Sequence, residues 1–280
     1  MEPLANNALT RWADIDGMQI AYRRFGRAGR HPPLVLCHRF RATMDHWDPA
    51  FLDRLADERE VILFDSAGVG GSTGTTPASI AEMAAVAERF IRSRSDEVDV
   101  LGWSMGGMVA LMLALGAPDL VRRVVVAAST PGGIEGSRPA PARVWEVAGR
   151  PVNTADDFLY LFFPETPAGQ QAGREHLARL GRRQEEPLPP VTEAAVRAQF
   201  QALQTLAAGD ELVSRLGNIH QPVFMANGVH DIMVHAYASY AATEALPQGF
   251  CAIYPGSGHG FLFQHYRQFT RDVNTFLTST

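Results

Sequence analysis

Apolar positions run along this chain in two rhythms, one fitting strands and one fitting helices. Trp12 to Ile15 and Met18 to Tyr22 read as two strands joined by Asp16-Gly17, a dipeptide suited to a tight hairpin. Four mostly apolar runs follow, Leu34 to Cys37, Val61 to Phe64, Val98 to Leu101 and Val124 to Ala128. Runs without alternation fit strands covered on both faces, as in a parallel sheet. Helical stretches lie between them, at about 47–56, 80–93 and 104–115. Strand and helix in this order predict a layered α/β architecture.

The rhythm breaks after Thr130. From Gly132 to about Asn218 no β-rich run occurs, prolines are scattered, and Asp157 to Phe163 is markedly apolar and aromatic. Strand patterning returns at Val223 to Ala226 and Phe250 to Tyr254. The pattern predicts a core built from residues 1–135 and 219–280, with a mostly helical insertion over 136–218. A last helix from about Phe261 places Leu262, Tyr266, Phe269, Val273 and Phe276 at helical spacing, so it docks on the sheet.

Composition narrows the function. A chain of 280 residues, 46% hydrophobic and 20% charged, buries a full core without disulfide or metal and is not a disordered chain or coiled coil. The longest apolar run, Met108 to Leu115, is too short to cross a bilayer, and the opening MEPLANNALTRW lacks the basic start and apolar stretch of a secretory leader. A cytoplasmic protein with two buried, reduced cysteines, Cys37 and Cys251, is the expectation. The net charge is −5 and every basic residue is arginine. An acidic balance without a basic block argues against nucleic acid and anionic membranes as partners, and the absence of lysine removes Schiff-base chemistry. A small-molecule substrate remains as the expected partner.

One motif carries most of the chemistry. The run Val98 to Leu101 leads into Gly102-Trp103-Ser104-Met105-Gly106-Gly107, and an apolar helix follows. This is G-x-S-x-G between strand and helix. The turn is so tight that the residues two before and two after the serine must lack side chains, which pushes the hydroxyl out at the helix N-terminus.

At this motif the chain resembles the α/β-hydrolase family, and the resemblance covers nearly all of its length. It implies an α/β-hydrolase fold: a mostly parallel central sheet flanked by helices, with 136–218 as a helical cap. In the family the order is nucleophile, acid, histidine. Asn227-Gly228-Val229-His230-Asp231 follows one apolar strand, and Gly256-Ser257-Gly258-His259-Gly260 follows the last. By resemblance Ser104 is the nucleophile, His259 the base and Asp231 the acid that orients it; Asp210 is the alternative acid. Haloalkane dehalogenases and epoxide hydrolases attack with a carboxylate at this position, so a serine points to acyl transfer.

Further positions follow from the resemblance. The oxyanion donors are the backbone N–H groups of Phe40 and Met105. The family's His-Gly turn reads His38-Arg39-Phe40-Arg41 here, with Arg39 in the glycine's place. Arg39 and Arg41 either hold an anionic part of the substrate or pair with Asp45, Asp48 or Asp65 to pin the loop; the second reading is the more ordinary. Arg39, Trp103, Phe158 and Phe162 are candidate substrate contacts. The cluster Phe158, Tyr160, Phe162 and Phe163 either lines the pocket or packs the insertion onto the core. Asp65 to Ser72 resembles the family's D-x-x-G-x-G-x-S turn and reads as loop structure; it lacks the lysine and spacing of a nucleotide loop. His230 and His235 around Asp231 are too sparse for a metal site, so neither metal nor cofactor is expected. The leading function is hydrolysis of a small ester or lactone through an acyl-enzyme. Carbon–carbon bond hydrolysis, cofactor-free perhydrolysis and a slow-turnover ligand receptor on the same fold are the alternatives.

Overall fold

A computed structural model describes residues 4–181 and 187–279. Residues 1–3 and 280 of the predicted core, and 182–186 of the predicted insertion, lie outside the described residues. Eight strands form one sheet: β1 (Arg11–Ile15), β2 (Met18–Gly26), β3 (Leu34–Cys37), β4 (Glu60–Phe64), β5 (Val98–Trp103), β6 (Val121–Ala127), β7 (Val223–Gly228) and β8 (Gly249–Tyr254). Their order is β1-β2-β4-β3-β5-β6-β7-β8. β1 and β2 pair antiparallel, as do β2 and β4, and every later pairing is parallel. The first hairpin turns on Asp16 and Gly17, both at positive φ (54° and 81°), as a tight primed turn requires.

The helices are α1 (Leu4–Asn7), α2 (Pro49–Ala56), α3 (Ile80–Arg92), α4 (Met105–Gly116), α5 (Ala142–Ala148), α6 (Ala155–Phe162), α7 (Pro167–Leu180), α8 (Glu193–Ala208), α9 (Tyr237–Ala245), α10 (Phe261–Gln264) and α11 (Tyr266–Thr278). Helices α5 to α8 fall within 136–218, where no strand occurs among the described residues. No helix is long and apolar enough to cross a membrane, among the described residues.

Alternation in the strands divides the core. Ile62, Val100 and Val124 face one side with α3 and α4; Leu63, Leu101 and Val125 face the other with α2 and α11. α4 is buried from Met105 through Ala114, which explains why it is apolar all round and lacks an amphipathic pattern. It lies between the sheet and α3, and this central burial anchors the turn before it.

Two expectations need correcting. Cys37 is buried, but Cys251 is exposed. β8 is the edge strand of the sheet and is incompletely covered, with Phe250 and Ile253 also exposed. The helix expected from Phe261 is two helices, α10 and α11, broken at His265 (φ −107°, ψ 30°). His265 is held there by a contact between Nε2 and the Pro255 carbonyl. The docking face is as expected, with Phe269, Val273 and Phe276 buried.

A buried carboxylate on β5 is paired with two arginines. Asp99, fully buried on β5, accepts from Arg59 Nη1 at 3.0 Å and from Arg122 Nε and Nη2 at 3.0 and 2.6 Å. Burial raises the Asp99 pKa, against the pull of Arg122. Arg59 is fully buried, so its charge depends on that carboxylate. Asp99→Asn is therefore expected to cost about 3–5 kcal/mol, the usual effect of leaving a buried charge without its partner. Urea unfolding with an unchanged slope measures it; a loss below about 1 kcal/mol would show that Arg59 finds water instead.

Candidate active site

Ser104 stands between β5 and α4 with φ 56° and ψ −122°, a conformation that costs a non-glycine residue about 1–3 kcal/mol. Its N–H donates to the Ala127 carbonyl at 2.8 Å, and its carbonyl accepts from Gly107 N at 2.8 Å. The flanking glycines leave no room for a side chain. A Cβ on Gly102 would overlap the Gly106 carbonyl, and one on Gly106 would overlap the carbonyls of Cys37 and His38. Gly106 thus lets α4 start directly against the end of β3.

His259 and Asp231 come together from the loops after β8 and β7. His259 Nδ1 lies 2.8 Å from Asp231 Oδ2. Asp231 Oδ1 accepts from the backbone N–H groups of Met233 (2.8 Å) and Val234 (2.9 Å). An ionised carboxylate only accepts, so Nδ1 carries a proton, and in the neutral ring the lone pair is then on Nε2. Nε2 is buried and has no partner. The histidine loop is tied down twice: Trp103 Nε1 donates to the His259 carbonyl (3.2 Å), and Gly260 N donates to the Phe162 carbonyl (2.7 Å). Asp210, the alternative acid, lies before the 3₁₀ turn Val213–Asn218, and no contact joins it to His259.

Ser104 and His259 line one cavity of about 600 Å³, together with Arg39, Phe40, Phe158 and Phe162. Phe40 and Met105 follow the two loops that meet here, and neither N–H donates to a backbone acceptor among the described residues. Trp103 does not line the cavity. It follows the strand's alternation inward, 1% exposed, and packs on Trp47, Phe162 and Phe263. The aromatic cluster divides: Phe158 and Phe162 reach the cavity, while Phe163 is buried over Gly173 and Gly260. Trp47 is core, and its Nε1 donates to His38 Nδ1 at 2.7 Å. His38 Nε2 comes within 3.4 Å of Asp65 Oδ1 but is not aligned for a hydrogen bond.

The Asp65 to Ser72 loop is structural. Asp65 accepts from Met44 N and Gly71 N, and Ser72 Oγ donates to the Asp65 carbonyl. His230 is exposed, and no group of three or more metal-ligating side chains gathers among the described residues.

The two arginines do not pair with the nearby acids. Asp45 binds Arg23, and Asp48 binds His176 and Arg179. Arg41 donates instead to the carbonyls of Ala148, Arg150 and Pro151, and its backbone N–H to Gln199 Oε1. Arg39 is buried under three aromatic rings, with Nη1 on the Phe40 carbonyl at 2.7 Å. Sequence neighbourhood misled here, because the acids nearest in sequence turn toward more distant partners. The Arg41 contacts carried no local signal, because their partners lie far along the chain, and His46 and Met233 in the lining were not singled out by the sequence either.

A family model described as the alpha/beta hydrolase fold matches residues 32–266. A pimeloyl-[acyl-carrier protein] methyl ester esterase of Nitrosomonas europaea is 28% identical over 253 residues, 86% of this chain and 94% of that protein. The Yersinia pseudotuberculosis protein of the same name is 25% identical, covering 87% of this chain and 92% of its own length. An alpha/beta hydrolase fold protein from Chitinophaga pinensis superposes with a TM-score of 0.88 at 29% identity, covering 99% of both chains.

The glycine constraint predicts that Gly106→Ala forces the start of α4 away from β3. The expected loss exceeds about 3 kcal/mol, because the overlapping atoms are backbone and cannot rotate aside. Thermal melting measures it, and Gly116→Ala, where a Cβ meets nothing within 4 Å, is the control.

Proposed function

The chain belongs to the alpha/beta hydrolase fold family, and from that premise we propose that it is a serine hydrolase cleaving a small ester or lactone. The observation that carries this is that Ser104 and His259 line one cavity, with His259 Nδ1 held by Asp231 and its buried Nε2 left without a partner. In this reading Nε2 takes the Ser104 proton as Oγ attacks the carbonyl carbon. The carbonyl oxygen becomes an anion, held by the N–H groups of Phe40 and Met105, and Asp231 stabilises the imidazolium. Collapse expels the alcohol, which takes the proton from His259. Water then attacks the acyl-enzyme by the same route and restores Ser104. The esterase names of the relatives support an ester as substrate. Ser104→Ala is expected to lower kcat on p-nitrophenyl acetate by three or more powers of ten with an unchanged melting temperature. Retained turnover would end the mechanism.

Residues 136–218 serve, in the same reading, as a cap over the cavity. Ala148, Pro151, Phe158, Leu177 and Val191 from this segment line it. The cap is fastened to the core by a buried cluster in which α7 meets the start of α2. His176 Nδ1 lies 2.8 Å from Asp48 Oδ2, and Arg179 donates to both Asp48 oxygens. Burial alone would raise the Asp48 pKa, but His176 and Arg179 outweigh it and hold it below the usual range. Burial pushes His176 down from 6.5. A histidine kept neutral in the fold costs stability where its released form is protonated, so the docking weakens as pH falls below about 6.5. Hydrogen exchange of α7, corrected for intrinsic rates, is expected to quicken between about pH 7.5 and pH 5.5, and His176→Phe to flatten the change. Equal protection at both values would show that another contact holds the cap.

A further inference from the structure

Arg39 holds a charge that nothing in the fold neutralises. The residue is buried, 8% exposed, and no carboxylate pairs with it among the described residues. Burying a cation without a partner is costly, so natural cores rarely keep one. The guanidinium packs on aromatic rings: its carbon lies 4.8 Å from the Phe162 ring centre, 5.3 Å from Trp103 and 5.6 Å from Phe158. These rings offer no hydrogen-bond acceptor of their own, and Nη1 is taken by the Phe40 carbonyl. What remains is the edge formed by Nε and Nη2. Nε is buried without a partner, and Nη2 has no acceptor among the described residues. That edge matches two carboxylate oxygens side by side.

The surroundings favour an anion. The ionisable residues lining the cavity are Arg39, Arg41, His46 and His259, with no carboxylate among the described residues. Arg41 is committed to three carbonyls and stays in place as a cationic wall. His46 is neutral, since burial and the charge of Arg39 push it down to about 3. Its Nδ1 accepts from Thr43 N, so its proton is on Nε2 and is a donor. Burial and Arg41 push Arg39 down to about 9, which leaves it cationic at neutral pH. The Phe162 ring that covers Arg39 lies 5.4 Å from the His259 ring, so a single side chain separates the charge from the base.

We propose that Arg39 anchors a free carboxylate on the substrate, so that the cavity takes small esters carrying a second, unesterified acid group. The carboxylate docks on the Nε/Nη2 edge, and the chain between it and the ester places the carbonyl at Ser104. This rests on the hydrolase reading above for the ester, but the anchor itself concerns binding alone.

Monomethyl succinate, glutarate and adipate, each beside its dimethyl ester, test it. The wild-type enzyme is expected to favour the best monoester in kcat/KM. Arg39→Met, which keeps an apolar stem under the rings, is expected to reduce that preference by ten- to a hundredfold, as for a lost charged hydrogen bond. Its melting temperature should hold or rise, because a buried unpaired charge has gone. Equal losses on both esters with a lower melting temperature would make Arg39 a structural residue and overturn the anchor, leaving the hydrolase reading intact. Calorimetry on Ser104→Ala separates the two readings. Monoester binding that Arg39→Met weakens tenfold or more sustains the anchor even if no ester is turned over, and binding indifferent to Arg39 removes it.

Discussion

The structure depends on one strained residue held by its neighbours. Ser104 keeps a positive φ because three things surround it: the Ala127 carbonyl that takes its N–H, the Gly107 N–H that returns to its carbonyl, and the close approach of Gly106 to β3. None of these survives unless α4 lies flush against β5 and β6. That explains an otherwise odd sequence feature: α4 carries no polar face, although it follows the most polar chemistry in the chain. Burial of the whole helix supplies the rigidity that the turn requires, since a packed core transmits displacement and does not absorb it. The strain is thus a local cost offset across the central layer.

Much of this was legible because local chemistry and global position agree. The strands of the sheet's parallel part are mostly apolar runs, and G-x-S-x-G can be read because its glycines answer a steric demand within five residues. Asp231 and His259 were likewise recognisable by standing just past strand ends, where loops of an α/β sheet converge. The failures share one cause. Cys251 sits in an apolar run whose strand happens to be the sheet's edge, and edge status is a property of topology that a run does not carry. Trp103 neighbours the serine in sequence but points the other way by strand alternation.

Arg39 and Arg41 show the same limit in electrostatic form. Acidic residues crowd them in sequence, at 45, 48 and 65, which makes pairing the ordinary expectation. In the fold each acid serves a longer-range purpose. Asp48 receives α7, Asp65 closes its own glycine loop and receives Met44, and Asp45 meets Arg23 on β2. Charge proximity along a chain predicts pairing only where the backbone does not turn between the partners. Here Arg41 sits at φ 56° and reverses the chain within two residues.

That reversal links the two halves of the site. Arg41 grips the carbonyls of Ala148, Arg150 and Pro151, and Gln199, buried in α8, takes the Arg41 N–H. The loop that presents the Phe40 N–H is therefore clasped by two separate stretches of 136–218. A displacement of either stretch moves the loop, because arginine's planar fork holds three carbonyls in a fixed geometry. Shape at the cavity roof and geometry beside Ser104 are then not independent. A shift of the α5–α6 connection would therefore carry the backbone around Phe40 with it. The clasp thus ties the position of the Phe40 backbone to the shape of the cavity roof, and neither can change without the other.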